Sequence, residues 1–264
     1  MGGARPRTGR LAALASVLLL AACSGGGSDG GAPTSAGVAP AAAPERPPEA
    51  FYAVPDPLPP GPPGALIRAT PIAGLPVLPY SRAWAVLYHS RDFDGRDVAV
   101  SGVVAVPPGA APPDGRPVVV WGHGSVGLAD RCAPSRGGVM GAFGPWLGGL
   151  LQQDLVVAAT DYQGLGTPGP ARSAIGLSAG RAVLDVARAA RGLQATGAGG
   201  RVVLAGHSEG GHAVLWGAEH LQLRRVGAGQ LGVATSAPGA ELAAGLKTEG
   251  SSGPAGVSTS RGTR

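Results

Sequence analysis

The run Arg201-Val-Val-Leu-Ala-Gly-His-Ser-Glu-Gly-Gly-His-Ala-Val-Leu-Trp216 constrains the fold more than any other part of the chain. Val202 to Ala205 is short, apolar and rich in β-branched residues, as a strand covered on both faces requires. Ala213, Val214, Ala218 and Leu221 then recur at helical spacing. Only seven residues, Gly206 to His212, separate the two patterns. A strand that reverses straight into a helix needs residues without side chains where its backbones meet, and Gly206, Gly210 and Gly211 supply them. Ser208 falls at the apex of the turn. This is the Gly-x-Ser-x-Gly nucleophile elbow. It predicts a serine hydroxyl lifted clear of the sheet. It also predicts that the backbone N–H of Glu209 faces the oxyanion of a tetrahedral intermediate, with the helix N-terminus adding favourable field there.

Gly-x-Ser-x-Gly occurs three times in the chain, so the pattern alone decides nothing. Gly26 to Gly30, around Ser28, lies in a Gly/Ser-rich stretch with no strand before it. Gly176 to Gly180, around Ser178, runs inside a helical pattern. Ser208 alone has a strand before it and a helix after it.

The amino-terminal region reads as export and attachment. Arg5, Arg7 and Arg10 precede the apolar run Leu11 to Ala22, which is too short to span a bilayer comfortably. The run ends Leu20-Ala21-Ala22-Cys23, which resembles the bacterial lipoprotein box. That resemblance implies a signal peptide over residues 1–23 and lipidation of Cys23 on its sulfur. The implied partner is a membrane, reached through a lipid anchor at the cell envelope. If the box is unused, the product is secreted. Residues 24–63 are rich in Gly, Ser, Ala and Pro and read as a disordered tether. The net charge of +5 rests largely on the leader, because 18 basic residues face 16 acidic ones without its three arginines. Nucleic-acid binding has no support in that balance.

Residues 64–246 carry the folded pattern. Trp84 to Tyr88 and Val98 to Val106 read as strands, joined by hairpin chemistry at Arg91 to Arg96. Val118 to Trp121 is a third strand. It runs into Gly122-His-Gly-Ser-Val-Gly127, which also matches the Gly-x-Gly-x-x-Gly dinucleotide fingerprint. That fingerprint needs a helix opening at once and an acidic residue about 20 positions on, and the sequence offers neither. The competing reading is an oxyanion loop, with a backbone N–H of Gly124 or, alternatively, Ser125 as second donor. Phe143 to Gln153 reads as a helix and Leu155 to Thr160 as a strand. Arg172 to Leu193 is a helix with an apolar stripe and with Arg181, Asp185 and Arg188 opposite it at ion-pair spacing. Gln230 to Thr235 is a further strand. Strands alternating with helices predict an α/β fold with a mostly parallel sheet and helices on both faces.

Four blocks in this order resemble the secretory lipase family of the α/β-hydrolase superfamily. They are Val118 to Ser135, Ala159 to Gly166, Val183 to Ala190 and Gly206 to Gly211. The resemblance implies hydrolysis of carboxylic esters, acylglycerols included, by a Ser-Asp-His triad with Ser208 as nucleophile. It implies no cofactor and no metal. A serine peptidase of the same fold, or a non-catalytic surface lipoprotein on a degenerate hydrolase fold, are the alternatives.

The triad order Ser, acid, His is not completed by the pattern. After Ser208 the acids are Glu209, Glu219, Glu241 and Glu249, and the histidines are His212 and His220, which both precede Glu241. His123 and His207 flank backbone sites and read as structural, and His212 reads as a packed helix residue. From Lys247 to Arg264 no strand or helix pattern survives, so residues 247–264 read as a disordered tail. The expectation is a truncated or frame-shifted hydrolase without its last strands, acid and base. Cys132 is then an odd thiol in an exported chain.

Overall fold

The structure is a computed structural model that describes residues 42–74, 78, 81–144, 147–220, 230–236 and 238. Within them one sheet holds β1 (Leu66–Ala73), β2 (Arg82–Arg91), β3 (Asp97–Val106), β4 (Arg116–Gly122), β5 (Val156–Thr160), β6 (Ala198–His207) and β7 (Gln230–Ser236). The helices are α1 (Gly138–Phe143), α2 (Leu147–Leu151), α3 (Gly176–Gly192) and α4 (Glu209–His220). Strand order is β1-β2-β3-β5-β4-β6-β7. The first four of these pair antiparallel. From β5 through β4 and β6 to β7 the pairing is parallel, as strand–helix alternation predicts. The antiparallel half opens with β1, a strand that the sequence pattern does not announce.

The strands alternate between two cores because successive side chains point to opposite faces. On one face Val86, Tyr88, Val100, Val104, Val120 and Val202 pack under α3 and α4, meeting Ala182, Val183, Val186 and Val214. On the other Ala85, Leu87, Val103 and Val157 meet Phe143, Leu151 and the amino-terminal segment. Parallel strands need both faces covered, and the helices are divided accordingly.

Two expectations are corrected. Residues 42–63 do not behave as tether. Glu49–Tyr52 forms a 3-10 turn whose Phe51 and Tyr52 are 2% and 5% exposed and sit in the second core. Arg68 donates from its guanidinium to the Phe51 and Ala53 carbonyls at 2.6 and 3.0 Å, fixing that turn to β1. Proline-rich composition suggested a linker, but two aromatic side chains suffice to bind the segment to the sheet. The helix expected over Phe143 to Gln153 is instead α1 and α2, with Gly144 at φ 71° ending α1 in the left-handed region that favours glycine. The ion-pair spacing read in α3 is met by Asp185 and Arg188, and Asp185 is buried as well. It is 1% exposed, and Ser90 of β2 donates to its carboxylate at 2.7 Å. Arg188 binds the other oxygen. Burial pushes the Asp185 carboxyl up, against the opposing pull of Ser90 and Arg188.

The leader, Cys23, residues 24–41 of the tether and the 247–264 tail lie outside the described residues. Among the described residues no helix is long and apolar enough to cross a membrane.

Candidate active site

Ser208 joins the end of β6 to the start of α4, as the strand–turn–helix pattern requires. Its φ is 54°, a left-handed conformation that costs an L-residue about 1–2 kcal/mol. The surroundings hold it there. Its N–H donates to the Ser236 carbonyl of β7 at 3.0 Å, and its own carbonyl accepts the His212 N–H at 3.1 Å in the first turn of α4.

The two glycines beside it are required by backbone approach. A Cβ on Gly206 would sit 2.3 Å from the Gly210 carbonyl oxygen, and one on Gly210 would sit 1.9 Å from the Gly122 oxygen. The turn is thus pressed against the end of β4. Ser208 is half-buried, whereas Ser178 is buried inside α3, away from any turn. Ser28 lies outside the described residues.

The Gly122 to Gly127 segment opens no helix, so the dinucleotide reading fails on geometry as well as on pattern. Gly124 lies against the elbow: a Cβ built on it would be 3.5 Å from the Ser208 Cβ. His123 is 6% exposed, and its Nδ1–H donates to the Gly124 carbonyl at 2.6 Å. The Tyr162 hydroxyl donates to the His123 carbonyl at 3.1 Å, and the two rings lie tilted with centroids 4.6 Å apart. These contacts fit the structural role expected of His123.

The Glu209 side chain makes contacts of its own. Its Oε2 accepts from Ser125 Oγ at 2.7 Å. Its Oε1 accepts from Ser173 Oγ at 2.8 Å and from the Ala174 N–H at 2.9 Å. Burial alone would raise its pKa. The bonds from Ser125, Ser173 and Ala174, with the nearby His123, outweigh burial and hold the carboxyl below its ordinary range. Sequence reasoning missed this role because the partners lie 84 and 36 positions away in the chain.

Of the remaining histidines, His207 is exposed and its ring meets Ser236 Oγ at 2.8 Å. His212 is 8% exposed, with its ring 6.1 Å from that of Trp216. Among the described residues no histidine is hydrogen-bonded to the Ser208 hydroxyl. His220 has no described side chain, and Glu241 and Glu249 lie outside the described residues.

Asp161, after β5, is 1% exposed and supports the floor beside the elbow. Ser101 Oγ donates to it at 2.6 Å and the Ser135 N–H at 2.9 Å, with the Ser135 hydroxyl also bound. Tyr52 extends the network through Ser135 at 2.8 Å. Burial nonetheless pushes the Asp161 carboxyl up. A pocket beside the elbow is lined by His123, Val126, Leu128, Tyr162, Arg172 and Glu209 among others. Cys132 is a free, half-buried thiol beside Gly127. Among the described residues no group of His, Cys, Asp or Glu could hold a metal.

A sheet with this strand order, and a strained serine between a parallel strand and a helix, define an α/β-hydrolase fold. The sequence model of the secretory lipase family matches residues 145–248, the part that contains the elbow, and this carries the family resemblance read from the sequence. Candida antarctica lipase A in its closed state superposes with a TM-score of 0.57 at 22% identity, over 70% of this chain and 44% of that one. The rice cell wall degrading esterase LipA from Xanthomonas oryzae superposes with a TM-score of 0.50 at 26% identity, over 59% of this chain and 45% of that one. The chain therefore matches less than half the length of either. No curated protein matches it.

Proposed function

We propose that the protein is an exported serine hydrolase of carboxylic esters, lipid esters included. The observation that carries this reading is the strained Ser208 at φ 54°, at the end of a parallel strand and with the Gly124 loop against its Cβ. In this reading the Ser208 hydroxyl attacks the ester carbonyl and forms an acyl-enzyme. The Glu209 N–H and a Gly124 or Ser125 N–H hold the oxyanion, and the alcohol leaves with the proton taken from Ser208. Water then releases the acid. The proton transfer needs a general base, and the reading assigns that role to no described residue. Export and a lipid anchor at Cys23 would place the domain at the cell envelope, where two or more acyl chains give stable attachment.

The similarity to lipases and an esterase supports the ester class. The test is covalent labelling with a fluorophosphonate, followed by peptide mapping. The expected result is label on Ser208 that disappears in Ser208→Ala. A folded sample that takes no label, or label on another serine, overturns the reading in favour of a binding protein.

A further inference from the structure

We infer that the Glu209 side chain is a positioning residue that sets the spacing between the two oxyanion donors. The inference rests on the proposed serine mechanism.

The donors come from different parts of the chain. One is the main-chain N–H of Glu209 at the start of α4. The other is on the loop after β4, at Gly124 or Ser125. The Glu209 carboxylate reaches that second loop directly, because Oε2 accepts from Ser125 Oγ at 2.7 Å. One residue therefore presents one donor from its backbone and holds the carrier of the other with its side chain.

The second oxygen anchors the carboxylate from the opposite side. Oε1 takes Ser173 Oγ at 2.8 Å and the Ala174 N–H at 2.9 Å, in the segment that leads into α3. Ala174 is itself in the left-handed region at φ 57°. A non-glycine residue holds that conformation only where its surroundings over-determine it. Glu209 is part of what determines it. The carboxylate thus ties the oxyanion loop and the α3 entry to the elbow, and it does so as the ionised acceptor, the stronger form of the bond.

A negative charge beside an oxyanion site would ordinarily oppose catalysis. Three donors aimed at the carboxylate offset that field, and each comes from a loop that needs fixing. An aspartate, shorter by one methylene, has less reach toward the two loops from the same backbone position. A glutamine keeps the reach, with one carbonyl oxygen for Ser173 and Ala174 and an amide facing a Ser125 hydroxyl that can also accept.

The experiment pairs amide hydrogen exchange with fluorophosphonate labelling rates on the full chain and its variants. In Glu209→Ala, the Ala174 amide and the 123–127 segment should exchange about 10-fold faster or more, and Ser208 should label about 10- to 100-fold more slowly. Glu209→Gln should stay within about 3-fold of the parent in both readouts. Ser125→Ala, which spares the α3 entry, should slow labelling without changing Ala174 exchange. Ser173→Ala should do the reverse. A fold-stabilising residue without a positioning role would not split the two readouts in this way. Glu209→Ala labelled at the parental rate, or unchanged exchange at residue 174, overturns the inference. A parent chain that takes no label at all counts against the serine mechanism, and the exchange data remain readable in that case.

Discussion

The Ser208 N–H donates to the Ser236 carbonyl at 3.0 Å, so the last described strand holds the residue on which the proposed chemistry depends. The bond helps keep Ser208 at φ 54°. Stability and reactivity therefore compete at one position.

Ser208→Gly should make that competition visible. Glycine adopts positive φ freely, and relief of the strain exceeds the extra entropy of the unfolded chain by a few tenths of a kcal/mol to about 1 kcal/mol. For a domain of this size the thermal midpoint should rise by about 1–3 °C relative to Ser208→Ala. Both variants should lose fluorophosphonate labelling. A glycine variant no more stable than the alanine variant would mean that position 208 stores no strain.

The elbow glycines should tolerate nothing larger. Gly210→Ala drives a Cβ to 1.9 Å from the Gly122 oxygen, and Gly206→Ala drives one to 2.3 Å from the Gly210 oxygen. Both obstacles are backbone, so each change should cost at least about 3 kcal/mol. Gly149 in α2 is the control, since nothing lies within 4 Å of its added Cβ. Gly149→Ala should stabilise by about 0.5–1 kcal/mol. Chemical denaturation of the three variants checks the order.

Glu209 should make stability depend on acid pH. Its carboxyl is held below the ordinary value of 4.5 by Ser125, Ser173, Ala174 and His123, against burial, which raises it. A carboxyl depressed in the folded state contributes fully above its unfolded pKa and loses that contribution as pH falls through the folded one. The thermal midpoint of the parent should exceed that of Glu209→Gln near pH 6, and the two should converge as pH falls below about 4.5. Parallel midpoint curves across that range would show that the carboxylate gains nothing from its three donors.

Phe51 should behave as a core residue although it lies within a proline-rich text. It is 2% exposed among Leu87, Val103 and Val157. Phe51→Ala should cost about 3 kcal/mol, or about 6–12 °C in midpoint. Limited proteolysis gives a second check, in which cleavage should begin before residue 49 in the parent and beyond it in the variant.

The sequence made the parallel half of the sheet legible because β4 and β5 at its centre are short, β-branched and buried on both faces. It made Ser208 legible because glycine spacing, strand and helix coincide at one point. Phe51 and Tyr52 escaped because composition carries no information about which aromatic residue meets which sheet. Asp185 escaped for a related reason. Helical periodicity places it opposite the main apolar stripe, but Ser90 on β2 offers a hydrogen bond there and makes burial tolerable. The Glu209 carboxylate escaped because only the folded chain brings Ser125 and Ser173 to it.

For the proposed reaction, the place of β4 between β5 and β6 bears on where selectivity would arise. The chain departs from β4 toward one neighbour and comes back on the other side, so the connections diverge and leave a crevice at the carboxyl rim. Where the ends of β4 and β6 meet the elbow, Gly122, Gly206 and Gly210 bring main chain against main chain. In the proposed reaction, bare main chain at that point would treat any acyl carbonyl alike. Discrimination between substrates would then fall to the pocket beside the elbow, where Val126 and Leu128 stand 46% and 65% exposed. Its walls can diversify through surface substitutions without disturbing the groups that would carry out the reaction.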